Sequence, residues 1–90
     1  MQVALRGIVT RYELDKLVAL SKEEPFLCYY SNDLDDELRR LRAIGLVQNH
    51  EGMGIMAIRR DYKDQNRQFD LRQFFFITEE GCEYLKLRVS

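Results

Sequence analysis

Residue types suited to covalent or acid–base catalysis are scarce in this sequence. It contains one histidine, His50, and two cysteines, Cys28 and Cys82. A thiolate beside an imidazole can act as an activated nucleophile, but the spacing of these three residues indicates no such pair. His50 also lies in a glycine-containing segment, where a histidine is usually solvated. We therefore predict that the chain is not an enzyme and has no catalytic residue.

The two cysteines are too few and too far apart along the chain for a disulfide framework or a zinc site. Apolar neighbours flank Cys28 on both sides, within residues 26–30. Cysteines in such surroundings are commonly small buried side chains in a reducing compartment. The sequence thus predicts no metal site and a cytoplasmic protein.

The segment Gly52-Met53-Gly54 has the glycines of a phosphate-binding loop and little else of one. It lacks the downstream Gly-Lys-Ser/Thr of a nucleotide-binding loop and the third glycine of a dinucleotide fingerprint. We predict a turn in this segment and no cofactor for the protein.

Length and composition indicate one globular domain over residues 1–90. Hydrophobic residues make up 46% of the chain and charged residues 32%, which is typical of a folded protein. No apolar run approaches the ~20 residues needed to cross a bilayer, and residues 1–7 lack the features of a signal peptide. The apolar start fits a module of a longer protein as well as a natural short chain.

Charge is distributed unevenly along the chain, although the formal net charge is only −1. Residues 23–38 contain six acidic and no basic residues, a net charge of −6. Residues 39–73 contain eight basic and four acidic residues, a net charge of +4. The sequence therefore predicts one acidic and one basic region, either of which can serve a partner.

The first helix is predicted to begin after Thr10 and to run to about Lys22. Thr10 and Glu13 form the pattern of a capping box, in which each side chain binds a backbone N–H at the helix start. Val9 and Leu14 occupy the positions of a hydrophobic staple.

A second helix is predicted from about Ser31. Its apolar residues recur on one face, at Leu34, Leu38, Leu41 and Ile44. Acidic residues occupy its first turns and arginines its later turns, the order that the helix dipole favours. Gly45 is predicted to end this helix in a left-handed conformation, and residues 46–47 to leave it as a strand.

Three segments fit two structures by their periodicity alone. Residues 3–9 fit a short helix or a strand. Residues 26–30, directly after Pro25, fit one turn of helix or a short strand. Residues 55–62 fit an amphipathic helix, although the first four of them also fit a strand.

Residues 69–77 are predicted to form the strongest strand, because aromatic side chains are enriched in strands. Alternation places Phe74 and Phe76 on one face, and Phe75 and Ile77 on the other. Both faces of the strand end would then need apolar cover, and a domain of this size covers one. We therefore predict these four residues as an interface, with a second copy in a homodimer or with another protein.

A final helix is predicted after Thr78, from Glu79 to about Arg88. Its inner face is expected to consist of three residues at helical spacing, Cys82, Leu85 and Val89.

Residues 37–47 (Glu-Leu-Arg-Arg-Leu-Arg-Ala-Ile-Gly-Leu-Val) and 76–85 (Phe-Ile-Thr-Glu-Glu-Gly-Cys-Glu-Tyr-Leu) carry a family resemblance. They resemble the winged-helix superfamily, in particular its bacterial regulators of the multiple-antibiotic-resistance and phenolic-acid types. There the first segment closes the recognition helix and enters the sheet, and the second is the last wing strand leading into a helix. The resemblance covers most of the chain from Thr10 onward. It implies an α+β winged-helix fold with about three core helices, a small antiparallel sheet and a C-terminal helix.

The resemblance also implies DNA binding and transcription regulation. The predicted DNA contacts are seven basic residues of the second helix and the wing, Arg39, Arg40, Arg42, Arg59, Arg60, Lys63 and Arg67. Such residues can track phosphates. The alternative is that they pair with nearby aspartates on solvated faces, and that the module serves protein interaction or dimerisation.

Overall fold

The computed structural model describes residues 9–89, with side chains as far as Leu87. Within this range four helices and four short strands make an α+β fold, as predicted. The helices are α1 (Arg11–Ser21), α2 (Asn32–Ala43), α3 (Ile55–Tyr62) and α4 (Glu79–Val89). The strands are β1 (Leu27–Tyr29), β2 (Val47–Asn49), β3 (Gln68–Asp70) and β4 (Phe75–Ile77). Of the ambiguous segments, residues 3–8 lie outside this range, residues 27–29 are a strand and residues 55–62 are a helix.

Helix α1 begins with the predicted capping box. The Glu13 backbone N–H donates to the Thr10 hydroxyl at 3.1 Å, and the Thr10 N–H donates to Glu13 Oε1 at 2.8 Å. Val9 is buried before the cap and Leu14 is half-buried after it. These local bonds explain why the start of α1 could be predicted from a few residues.

Both ends of helix α2 also follow the sequence. The Ser31 hydroxyl accepts the Leu34 N–H at 3.0 Å at the start of the helix. At its end Gly45 has a φ of +84°, and the N–H groups of Gly45 and Leu46 bind the carbonyls of Arg42 and Leu41. This pair of bonds is the Schellman arrangement, which requires a left-handed residue and so favours glycine.

The strands form two separate antiparallel pairs rather than the one small sheet predicted. Strand β1 pairs with β3, with Cys28 opposite Phe69. Strand β2 pairs with β4, with Gln48 opposite Phe76. Each pair joins strands that are distant in sequence. Elements α2, β2 and α3 lie between β1 and β3, and elements α3 and β3 lie between β2 and β4.

The prediction of one strand over residues 69–77 is wrong. The Asp70 carboxylate accepts the Arg72 N–H at 3.0 Å and so caps a short 3-10 helix, Leu71–Gln73, that divides the segment into β3 and β4. Phe74 then adopts a right-handed helical conformation. The period of two is lost at this point, and the consecutive side chains of Phe74 and Phe75 are both buried.

The start of helix α4 packs closely against the turn between α2 and β2. The Thr78 hydroxyl accepts the Gly81 N–H at 3.0 Å, as predicted for a cap, and donates to the Gly45 carbonyl at 2.6 Å. A Cβ atom on Gly81 would lie 2.2 Å from the Leu46 carbonyl oxygen. Glycine is therefore required at position 81 by the close approach of two backbones.

The predicted inner face of α4 is partly wrong. Cys82 is exposed, whereas Gly81 and Tyr84 are buried and Leu85 is half-buried. The buried face of α4 is thus displaced by about one residue from the predicted face. The sequence does not reveal this, because the buried face begins with Gly81, which has no apolar side chain. The Val89 side chain lies outside the described residues.

Candidate nucleic-acid interface

Helices α2 and α3 lie side by side, with an open depression at each end of the pair. The first has a volume of about 650 Å³ and joins the last turns of α2 to the start of α3; we call it the basic groove. The second has a volume of about 410 Å³ and joins the start of α2 to the end of α3; we call it the tyrosine pocket. Because opposite ends meet in this way, the two helices run antiparallel.

The basic groove is lined by cations and amides. Its polar lining residues are Arg39 and Arg42 of α2 with Gln48 and Asn49 of β2, and no carboxylate of the described residues lines it. Arg42 Nε donates to Gln48 Oε1 at 3.1 Å, and the buried Asn49 Oδ1 has no hydrogen-bond partner among the described residues. Arginines and amides are the residue types that bind phosphates and base edges.

Arg39 is held at the groove by a buried acid. Asp35 accepts hydrogen bonds from the Tyr30 hydroxyl at 2.7 Å and from Arg39 Nε. Burial alone would raise the pKa of Asp35, but these two hydrogen bonds and the positive charges of Arg39 and Arg59 outweigh it and lower that pKa. Burial, and then the bond to Asp35, raise the pKa of the Tyr30 hydroxyl. Asp35 therefore stays ionised at neutral pH and orients Arg39.

Like Arg39, two further predicted DNA contacts bind acids of the same chain. Arg40 Nε lies 2.8 Å from Glu13 Oε2, so this arginine is turned toward α1. Arg60 Nε lies 3.0 Å from Asp61 Oδ1, and the hydrogen bond from Arg60 lowers the pKa of that carboxyl. The predicted pairing of arginines with aspartates thus occurs at Asp35 and Asp61, whereas Glu13 was not expected as a partner.

The remaining predicted contacts lie along α3 and beyond its end. Arg59 is half-buried on α3, and Lys63 and Arg67 line the tyrosine pocket with Tyr29 and Tyr62. The structure therefore brings Arg39 and Arg42 together at one end of the helix pair, and Lys63 and Arg67 together at the other.

The predicted interface at the end of the aromatic strand needs a correction. Phe74 and Phe75 are buried in the core, and Ile77 is half-buried. Only Phe76 among the four offers substantial surface, with 41% of the residue exposed. The helical turn at Phe74 removes the second apolar face that the prediction required.

The residues first considered for catalysis are His50 and the two cysteines. His50 Nε2 lies 3.2 Å from the Arg72 carbonyl oxygen and its ring lies 5.0 Å from that of Phe76. Burial raises the pKa of Cys28 to about 11, with Asp70 adding to this rise and Lys16 opposing it. Cys28 is half-buried, so the prediction that both cysteines are buried is wrong for Cys82 and only partly right for Cys28.

The described residues show neither of two features, a metal-binding cluster and a membrane-spanning helix. No group of three or more His, Cys, Asp or Glu side chains among them is placed to hold a metal ion. No helix in the same part of the chain combines the length and apolarity needed to cross a membrane. Comparison of the chain with protein-family models, curated proteins and solved structures finds no match.

Sequence reasoning missed several residues of the two depressions. Gln48 and Asn49 belong to a strand too short to show a pattern, and Tyr29 lies in a segment whose sequence fits either a helical turn or a strand. Met56 lines the basic groove as an exposed side chain. In the structure Leu27 and Tyr29 are exposed on the same face of β1, but the uniformly apolar sequence of residues 26–30 does not reveal this alternation.

Proposed function

We propose that the chain is a non-catalytic module of modified winged-helix type that binds duplex DNA and regulates transcription in the cytoplasm. The observation that carries this proposal is the basic groove, where two arginines and two amides line an open surface without a carboxylate among the described residues. Arginine can bind phosphate or guanine in a bidentate manner, and amides pair with adenine edges.

The contacts between the two segments that resemble winged-helix regulators support the fold part of the proposal. Val47 of the first segment pairs with Ile77 of the second. Thr78 then binds the backbone of Gly45 and Leu46 through its hydroxyl and its N–H. In this proposal β2 and β4 are the wing strands, and α3 with β3 is an insertion between them.

The charge of α2 determines how a duplex would meet this surface. Asp33 and Asp36 are exposed at the start of the helix and would repel phosphates. Arg39 and Arg42 lie in its second half, beside α3. We therefore expect the duplex to lie over the basic groove, and the start of α2 to point away from the DNA backbone.

The test is fluorescence anisotropy of a random-sequence duplex at about 50 mM and about 200 mM salt, where phosphate-binding proteins lose affinity by orders of magnitude. Arg42→Gln should lower the slope of log affinity against log salt by about 0.9, the loss of one phosphate contact. Arg11→Gln, an exposed residue of α1 with the same charge change, is the matched control. Absence of binding at low salt, or an equal effect of the two variants, would contradict the proposal.

Homodimerisation is the second candidate function, and one observation favours it. The exposed Phe76 ring lies beside His50 on the outer side of the β2–β4 pair, and exposed aromatic side chains are enriched in protein interfaces. Sedimentation equilibrium at micromolar concentration should then give a dimer for the wild type and a monomer for Phe76→Ser. A monomeric wild type would exclude this candidate at that concentration.

A further inference from the structure

We infer that the tyrosine pocket binds one unpaired nucleotide of a single-stranded nucleic acid. In this arrangement the base stacks on Tyr29 and Arg67, and the phosphate binds Lys63. The inference goes beyond the duplex binding proposed for the basic groove and does not depend on it, because the two depressions lie at opposite ends of the α2–α3 pair and share no lining residue.

Arg67 provides the first stacking surface. Its guanidinium carbon lies 4.8 Å from the centroid of the Tyr62 ring. Tyr62 is itself held by the core, with its ring 4.8 Å from that of Phe69 and edge-on to that of Phe74 at 6.0 Å. Arg67 is thus placed by a fixed aromatic ring, and the outer side of its planar guanidinium remains available to a base, a stacking mode common in nucleic-acid recognition.

Tyr29 provides the second surface. It lies at the end of β1 with 55% of the residue exposed, and its ring has no ring partner or hydrogen bond within the described side chains. Exposed tyrosines cost little conformational entropy on binding and offer a flat face to any base. Base stacking on such residues is tolerant of sequence, so we expect binding with little base preference.

The charges of the pocket favour an anionic ligand. Aromatic rings also attract cations, so tyrosines alone would leave the sign of the ligand open. Two cations, Lys63 and Arg67, line the pocket against one carboxylate, Asp64. A nucleotide combines the flat ring and the negative charge that this lining can bind, whereas an amine would be repelled.

The shape of the turn after α3 supports a built site. Asp64 and Asn66 have φ values of 65° and 50°, the left-handed region that residues other than glycine rarely adopt. Asp and Asn adopt this region more readily than other non-glycine residues, so these two residues shape the turn that places the pocket lining. The turn carries Lys63 and Arg67 on its two sides, and the Asn66 side chain also lines the pocket, where its amide can bind a base edge. The pocket volume of about 410 Å³ falls within the range of small-ligand sites, about 300–1,000 Å³.

The experiment is fluorescence anisotropy of a labelled oligothymidylate of about ten nucleotides, within the ~4–16 nucleotides that small binding domains cover, at about 50 mM salt. Tyr29→Ala should weaken binding about five- to hundredfold, the effect of losing one stacked base. Tyr12→Ala, which removes a tyrosine 67% exposed on α1, is the matched control and should bind like the wild type. Circular dichroism verifies that both variants fold, as their exposure leads us to expect.

A second pair of variants separates stacking from charge. Arg67→Lys keeps the positive charge but loses the planar guanidinium, so it should weaken binding nearly as much as Arg67→Ala. Arg42→Gln, in the basic groove, should change duplex binding while leaving oligothymidylate binding within about twofold, since one distant charge has a small screened effect. The inference is overturned if the wild type does not bind the oligonucleotide, if Tyr29→Ala matches Tyr12→Ala, or if Arg67→Lys binds like the wild type. Because the duplex is measured with the same proteins, failure of the pocket and failure of the groove are distinguishable.

Discussion

Glu13 and Arg40 connect the first two helices through a carboxylate that is almost fully buried. Glu13 Oε1 accepts the N–H of Thr10 at 2.8 Å, and Glu13 Oε2 lies 2.8 Å from Arg40 Nε. Only 3% of Glu13 is exposed. One acid therefore caps α1 and ties α2 to it, which also explains why Arg40 points away from the basic groove that contains Arg42.

Replacing this acid should destabilise the fold. Glu13→Ala removes the helix cap, worth about 1 kcal/mol, and leaves Arg40 without this partner. Because Arg40 is partly exposed, water compensates for part of the lost ion pair. We expect a total decrease of about 2 kcal/mol in the free energy of unfolding. Urea denaturation measures this change, with the exposed Glu24→Ala as control at less than about 0.5 kcal/mol. Equal effects of the two substitutions would show that the buried pair adds no stability.

Acid should weaken the protein through Asp35. The pKa of Asp35 is lowered in the folded state from its ordinary value of 3.8. Its contribution to stability is therefore fully present above pH 3.8 and is lost as the pH falls through the lower folded-state pKa. Asp35→Asn should be less stable at neutral pH by about 1–3 kcal/mol. Its free energy of unfolding should also fall less steeply than that of the wild type as the pH is lowered. Thermal unfolding across this pH range measures both effects, with the same substitution at the exposed neighbour, Asp36→Asn, as the control.

Gly81→Ala should be destabilising although alanine is the better helix former by about 1 kcal/mol. The added Cβ would lie 2.2 Å from the Leu46 carbonyl oxygen and 2.6 Å from Ile77 Cγ1. The helix must then move away from Leu46 and Ile77, at a cost of about 1–3 kcal/mol. Glu80→Ala, an exposed neighbour in α4, is the control for propensity alone. A melting temperature of Gly81→Ala at or above that of the wild type would contradict the close contact.

The two cysteines should react at different rates with iodoacetamide. Cys28 has a pKa of about 11 against an ordinary value of 9.0, so at pH 8 its thiolate fraction is about a hundredfold smaller than that of an ordinary thiol. Cys82 is exposed. Peptide mapping by mass spectrometry after brief alkylation should find the label on Cys82, and in urea on both cysteines. Early labelling of Cys28 in the native protein would show that β1 opens readily.

The parts of the fold that followed from the sequence are those fixed by contacts between near neighbours. The capping box at Thr10 and the Schellman end at Gly45 involve residues within five positions of each other, so a short pattern contains the whole cause. The division of residues 69–77 has a local and a distant part, because the Asp70 carboxylate that accepts the Arg72 N–H also accepts the Phe26 N–H at 3.0 Å, from a segment 44 positions earlier in the chain. A pattern within one short segment of the sequence cannot reveal the bond between Phe26 and Asp70.

The candidate site shows the same difference between features fixed by near neighbours and features fixed by distant contacts. The arginines of α2 could be assigned to one helix from their spacing, but which of them face an acid depends on packing between helices. Arg40 lies toward Glu13, 27 positions earlier in the chain, while Arg42 donates to Gln48. The basic groove and the tyrosine pocket arise from the antiparallel arrangement of α2 and α3, which no motif in the sequence specifies.

The separation of the strands into two pairs has a dynamic consequence. The 3-10 helix separates β3 from β4, so no strand belongs to both pairs. The hydrogen bonds of the β1–β3 pair, which flanks the tyrosine pocket, can therefore open locally while those of the β2–β4 pair beside the basic groove stay formed. Amide protons of the two pairs should then exchange with solvent water at independent rates, and occupancy of one end of the helix pair should slow exchange at that end alone.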